Sequence, residues 1–124
     1  MIKFYFCEHC KNVVESVIDK NVPVCCGQPM KLIQPNTVDA SKEKHVPEVS
    51  FEKGEIIVHV GSAAHPMTEE HLINFVELET TKGCYRHNLT ASDSPVARFL
   101  ISDDEDPVAV YAYCNLHGLW SSVV

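Results

Sequence analysis

From Glu48 onward, hydrophobic and polar positions alternate in short bursts with no helical spacing. Glu55-Ile-Ile-Val-His-Val60, Leu72 to Thr80, Tyr85 to Leu89, Val96 to Ile101 and Val108 to Tyr113 are rich in β-branched and aromatic side chains, which suit a pleated, half-buried surface. Turn-forming residues separate these runs: Lys53-Gly54, Lys82-Gly83, Ser92-Asp-Ser-Pro95 and Ser102-Asp-Asp-Glu-Asp-Pro107. Short strands at this spacing predict a mainly β chain folded as an antiparallel sandwich of immunoglobulin-like type, without the Cys…Trp…Cys pattern of antibody domains. Pro66-Met-Thr-Glu-Glu-His71 predicts a single helical turn with Thr68 as its cap.

Ahead of the sandwich the pattern thins to one alternating piece, Val13 to Ile18, too little to build a core. A unit below about 40 residues usually needs a metal, a disulfide or a partner chain. Residues 1–34, which carry four cysteines, are therefore expected to form a metal-stapled module, and 35–124 the sandwich domain. The polar stretch Gln34 to Lys42, with Pro35, reads as a linker between them.

Composition narrows the function classes. The 124 residues suffice for one proper core, and no apolar run approaches the roughly 20 residues needed to cross a bilayer. No apolar leader precedes Cys7, so a soluble, cytoplasmic protein is expected. Ten Lys and Arg against seventeen Asp and Glu give a net charge of −7 with no basic cluster, which argues against nucleic acid as a partner. Six cysteines and seven histidines stand out, and in a reducing compartment such residues more often bind metal or carry redox chemistry than form structural disulfides.

Cys7-Glu-His-Cys10 has the spacing of a metal knuckle, in which two thiolates point at one ion while backbone N–H groups turn toward the sulfurs. Cys25 and Cys26 supply a second pair. Adjacent cysteines cannot repeat the knuckle, so a site using all four is expected to be a distorted tetrahedron of sulfurs, suited to iron or zinc; a disulfide pair is the other reading of the same residues. His9, inside the knuckle, is expected to be exposed. A second set comprises His45, His65, His71, Cys114 and His117, all at loops or strand ends and so off the period of core residues. His59 and His87 lie within strand-like runs and read as ordinary side chains, and Cys84 as a buried, inert thiol.

These motifs together resemble desulfoferrodoxin, the two-centre form of superoxide reductase. Cys7-x-x-Cys10 with Cys25-Cys26-Gly27-Gln28-Pro29-Met30 is similar to its desulforedoxin-like (rubredoxin-like) module. Asn36-Thr-Val-Asp-Ala40, Glu43-Lys-His-Val-Pro47, Val60-Gly-Ser62, His65-Pro-Met-Thr-Glu-Glu-His71 and Tyr113-Cys-Asn-Leu-His-Gly-Leu-Trp120 are similar, in order, to motifs of its catalytic module. The resemblance implies a ferrous centre with His45, His65, His71 and His117 as equatorial ligands, Cys114 as axial thiolate and a sixth position open to substrate. It also implies a second iron on Cys7, Cys10, Cys25 and Cys26, with zinc as the rival there. Donor chemistry agrees on the first centre: zinc usually takes four ligands, whereas four imidazoles and a thiolate suit a metal of higher coordination number.

By the same resemblance, Lys44 attracts superoxide and supports proton delivery, and Glu43 occupies the sixth position after oxidation. The implied reaction is one-electron reduction of superoxide to hydrogen peroxide, with a rubredoxin-like protein restoring the ferrous state and two chains forming a homodimer. The alternative class is a non-catalytic electron-transfer or structural metalloprotein. Two departures concern the first module: Lys11 stands where related modules commonly have Gly, and Asp19-Lys-Asn-Val-Pro23 replaces a Gly-rich stretch.

Overall fold

The computed structural model describes residues 1–39 and 44–124. It divides into two compact units, Met1–Gln34 and Pro35–Val124.

The first unit contains β1 (Lys3–Phe6), β2 (Val13–Ser16), β3 (Val24–Cys25), β4 (Gln28–Pro29) and β5 (Lys31–Leu32). Strands β2, β1 and β5 form one antiparallel sheet, and β3 and β4 form a separate hairpin. Its small buried cluster consists of Tyr5, Cys7 and Met30, with Val14 and Cys25 packed against it. Two of these five side chains are thiols, so sulfur makes up part of this cluster; Phe4 is also buried in this unit.

The second unit contains β6 (Pro47–Glu52), β7 (Glu55–Val60), β8 (Ile73–Thr80), β9 (Cys84–Asn88), β10 (Val96–Phe99), β11 (Pro107–Cys114) and β12 (Gly118–Val123). Two antiparallel sheets, ordered β10-β7-β6 and β12-β11-β8-β9, enclose one core. Period-two alternation selects that core: Ile56, Val58 and Val60 from β7, Val76 and Leu78 from β8, Ala97 and Phe99 from β10, and Val110, Ala112 and Cys114 from β11. Fully burying an aliphatic or aromatic side chain contributes about 1.5–3 kcal/mol, so apolar packing can hold this unit. The Lys53-Gly54 turn joins β6 to β7 with positive φ at both residues, 48° and 82°, as the tight hairpin connection requires.

The mainly β fold, with a cysteine cluster ahead of a β-sandwich, agrees with the alternation in the sequence. Three expectations are corrected. The helical turn over Pro66–His71 does not form; Thr68 and His71 instead exchange backbone hydrogen bonds of 2.9 and 3.1 Å, closing a loop that projects His71. Thr68 still resembles a cap, because its Oγ1 accepts from the His71 N–H at 3.1 Å. Part of the expected linker is bound into the sandwich: the Asn36 N–H donates to the Leu119 carbonyl, and the Asn36 carbonyl accepts from the Ser121 N–H, both at 2.9 Å. Cys84 is exposed, because it opens β9, an edge strand with few buried positions. Among the described residues, no helix is long and apolar enough to cross a membrane.

Candidate metal centres

In the first unit, β1 delivers Cys7 to a turn closed by two backbone bonds: the Lys11 N–H donates to the Cys7 carbonyl at 2.8 Å, and the Cys7 N–H to the Asn12 carbonyl at 2.9 Å. The Cys10 N–H points at the Cys7 sulfur, 3.5 Å away. The β3–β4 hairpin accounts for the adjacent pair. Cys25 ends β3, while Cys26 and Gly27 are the two central turn residues, with φ of 53° and 72°. A two-residue turn of this hand needs positive φ at both positions, and Gly27 adopts it without a Cβ penalty. The four sulfurs converge within 4.8 Å of one another, Cys7 buried and Cys10 and Cys26 exposed, and none is in a disulfide.

The local electrostatics favour a cation among these sulfurs. The Cys10 N–H and further N–H and S–H donors hold the Cys7 thiol down at about 6. The Cys10 sulfur, followed by burial and the other sulfurs, pushes Cys26 up to about 12. One thiolate is accommodated by the backbone, whereas a full set of four calls for a positive ion at their centre.

In the second unit, four segments carry the other set. Asp39 fixes the first: its Oδ1 accepts from the backbone N–H groups of His45 at 2.7 Å and Val46 at 2.9 Å. The buried His45 ring stacks on Trp120, centroids 4.6 Å apart and planes 13° off parallel. His65 follows β7 in a loop closed by its N–H to the Val60 carbonyl, 2.9 Å. Its Nδ1 lies 2.7 Å from the Pro66 carbonyl. A carbonyl only accepts, so Nδ1 carries the proton and Nε2 keeps the lone pair a metal needs. Gly61, in the same loop, lies against the backbone of Lys44, next to His45: a Cβ there would sit 2.6 Å from the Lys44 carbonyl oxygen, so only glycine fits without displacing that segment.

Cys114 and His117 flank the β11–β12 hairpin, whose loop 115–117 ends at Gly118 with φ of 84°. Cys114 is fully buried, in phase with Val110 and Ala112 on β11, which corrects the expectation that it lies off the period of core residues. His117 is exposed and its carbonyl accepts from Trp120 Nε1 at 3.2 Å. Its Nδ1 lies 3.8 Å from the Cys114 sulfur and 3.2 Å from His45 Nε2.

The four imidazoles occupy the corners of a square. Successive ring centroids are 4.5 Å (His45–His65), 4.7 Å (His65–His71), 5.1 Å (His71–His117) and 5.0 Å (His117–His45) apart, and the His45–His71 diagonal is 6.5 Å. Neighbouring rings are steeply inclined, by 61° to 85°. Ligand atoms of His45, His65, His71 and Cys114 all lie within 4.8 Å of one another. Four nitrogens and one soft sulfur in this layout fit an ion of coordination number five or six better than tetrahedral zinc.

The fold thus gathers all nine candidate ligands into two clusters. Lys44 is half-buried beside His45, and Glu43 falls at 40–43, outside the described residues. His9, His59 and His87 are exposed. Asp39, Gly61, Asn115 and Trp120, which brace the second cluster, all lie within the motifs that carry the resemblance, but nothing in the sequence assigned them this bracing role.

Comparison with known proteins matches this architecture. The Desulfoferrodoxin family model matches residues 37–123. A desulfoferrodoxin from Syntrophotalea carbinolica is 48% identical over 122 residues, covering 98% of this chain and 95% of that protein. The crystal structure of the superoxide reductase from Treponema pallidum superposes with a TM-score of 0.82 at 31% identity, covering 98% of each chain. A superoxide reductase of Giardia intestinalis (1Fe-SOR) matches 67% of this chain and 98% of its own, with a TM-score of 0.56 and 33% identity. With the family model spanning the sandwich and a relative of this identity spanning nearly the whole length, the chain belongs to the desulfoferrodoxin family.

Proposed function

We propose that the chain is a superoxide reductase, in which superoxide takes up one electron and two protons and leaves as hydrogen peroxide. The observation that carries this reading is the square of His45, His65, His71 and His117 with the Cys114 sulfur beside it. In this reading those five residues hold iron, and Cys7, Cys10, Cys25 and Cys26 hold a second iron. Iron in the first set would supply the electron from its ferrous state.

The protein's own part is electrostatic and geometric. Four neutral imidazoles and one thiolate leave a divalent ion formally positive, so an anion is attracted even though the chain as a whole is acidic. Lys44, beside His45, adds a cation to that local field and a proton source at Nζ. A Cys114 thiolate bound to such an ion would push electron density toward it, the lever by which a cysteine ligand favours oxygen chemistry in haem proteins. Its burial among Val110, Ala112 and Ile73 keeps water from the sulfur. Glu43, from its place in the Glu-Lys-His motif, is the carboxylate proposed to hold that ion once it is oxidised. A rubredoxin-like protein is the proposed donor, and a homodimer the proposed assembly.

The test is metal content together with the visible spectrum, taken after a mild reductant and again after superoxide. Iron in both clusters, with a thiolate band that superoxide raises and reductant removes, supports the reading. Cys114→Ser is expected to abolish both band and activity while the sandwich stays folded. Iron or zinc in the second cluster that never reacts with superoxide would leave a structural metalloprotein.

A further inference from the structure

The loop that projects His71 is fastened through Asn115 to the hairpin that carries Cys114, next to the Cys114–Ile73 pairing of β11 and β8. Asn115 directly follows Cys114, and its amide binds both neighbours of His71. Its Oδ1 accepts from the Leu72 N–H at 3.0 Å, and its Nδ2 donates to the Glu70 carbonyl at 3.1 Å. A third bond runs from the Asn115 N–H to the Leu72 carbonyl at 3.2 Å. The partners are 43 and 45 residues away in sequence, so neither contact is local turn chemistry.

His71 depends on this attachment more than the other histidines of its cluster do. His45 is buried, stacked on Trp120 and held through its backbone by Asp39. His65 is buried, with Nδ1 fixed by the Pro66 carbonyl. His117 shares the Cys114 hairpin. His71 is only half-buried, at the end of a loop whose own closure is the Thr68–His71 pair. An amide is the side chain suited to the task, because it presents an acceptor and a donor on one rigid plane and so matches one N–H and one C=O.

We infer that Asn115 is a positioning residue that sets the His71 imidazole relative to the Cys114 sulfur, so that two donors far apart in sequence are registered by a single planar group. This rests on the reading of His45, His65, His71, His117 and Cys114 as one metal centre, and extends it to a residue that touches neither metal nor substrate. Residues that orient metal ligands from outside typically change affinity by about 10-fold to 100-fold when removed.

The test is equilibrium dialysis of the full chain against Co2+, with absorption spectra separating the four-sulfur ion from the histidine–cysteine ion. The unaltered chain is expected to bind both. Asn115→Ala is expected to keep the amide-exchange protection of β7, β8 and β11, which reports that the sandwich is folded, to bind the four-sulfur ion unchanged, and to bind the second ion about 10-fold or more weakly, with its thiolate band displaced. Asn115→Asp retains an acceptor for the Leu72 N–H and is expected to fall between the two. Equal affinity and an unmoved band in Asn115→Ala would overturn the role of Asn115 alone. Failure of the unaltered chain to bind Co2+ through Cys114 and the histidines would overturn the metal-centre reading and this inference with it.

Discussion

In residues 1–34 the candidate ligands are part of the packing, whereas in residues 35–124 they largely border it. Cys7 and Cys25 belong to the small cluster around Tyr5 and Met30, so the sulfurs both hold and constitute that core. In the sandwich, Cys114 joins the apolar cluster, and the four histidines lie outside it, on loops braced by Asp39, Gly61, Asn115 and Trp120. The lesson concerns what each unit loses without metal. The first loses the ion that draws together two of its few buried side chains, while the second keeps its two sheets and their apolar contents.

The largest expected effect follows from that contrast. Cys26→Ser in the full chain should leave β1 to β5 without amide-exchange protection, while β7, β8 and β11 keep theirs and superoxide reduction is largely retained. Simultaneous loss of protection in both units would break the comparison. Loss of activity with the second cluster intact would instead make the four-sulfur centre an obligatory electron relay.

A smaller effect concerns the sandwich alone. The Glu105 carboxylate accepts from Tyr85 OH at 2.6 Å, from the Ser102 N–H at 3.1 Å and from the Thr80 hydroxyl. The Thr80 contact contributes most to holding it at about 2, below the ordinary carboxylate range. A depressed carboxylate stabilises the fold above its unfolded value, and that stability is lost as pH falls through the folded one. The melting temperature of the sandwich should therefore decline between about pH 4.5 and 2. Glu105→Gln should flatten this decline; an identical acid profile would show that the cluster contributes nothing to it.

The smallest effect sharpens the account of the knuckle. Lys11 adopts φ of 70°, in the left-handed region, and its Nζ donates to the Glu8 carbonyl at 2.8 Å and sits 5.6 Å above the Phe6 ring. Lys11→Ala keeps the backbone strain and loses both contacts, whereas Lys11→Gly relieves the strain. Metal release in urea should show the alanine variant less stable than the glycine variant by about 1 kcal/mol. Equal stabilities would mean that the turn relaxes away from this conformation.

What the sequence revealed depended on how local the signal was. The sandwich was legible because alternation and Lys53-Gly54 act over a few residues. Strands β1, β6 and β12 were not singled out: β6 is mostly exposed, and β12 contains Ser121 and Ser122, so neither stands out as an apolar run. Pro66-Met-Thr-Glu-Glu-His71 had a helical composition, yet its backbone groups close on each other across Thr68 and His71. Cys84 looked like a core thiol because edge position is a property of the sheet. The braces of the second cluster lay within the motifs that carried the resemblance, but what they do was illegible for the same reason. Asn115 finds its partners more than 40 residues away, and Gly61 matters because of a backbone oxygen contributed by Lys44.

Trp120 is the only tryptophan in the chain, and its ring lies face to face with that of His45. All of the protein's indole fluorescence therefore originates against one corner of the histidine square. A change of charge or occupancy at that corner reaches the excited indole across a single stacking distance, so the intrinsic emission is an optical gauge of this cluster that needs no added label.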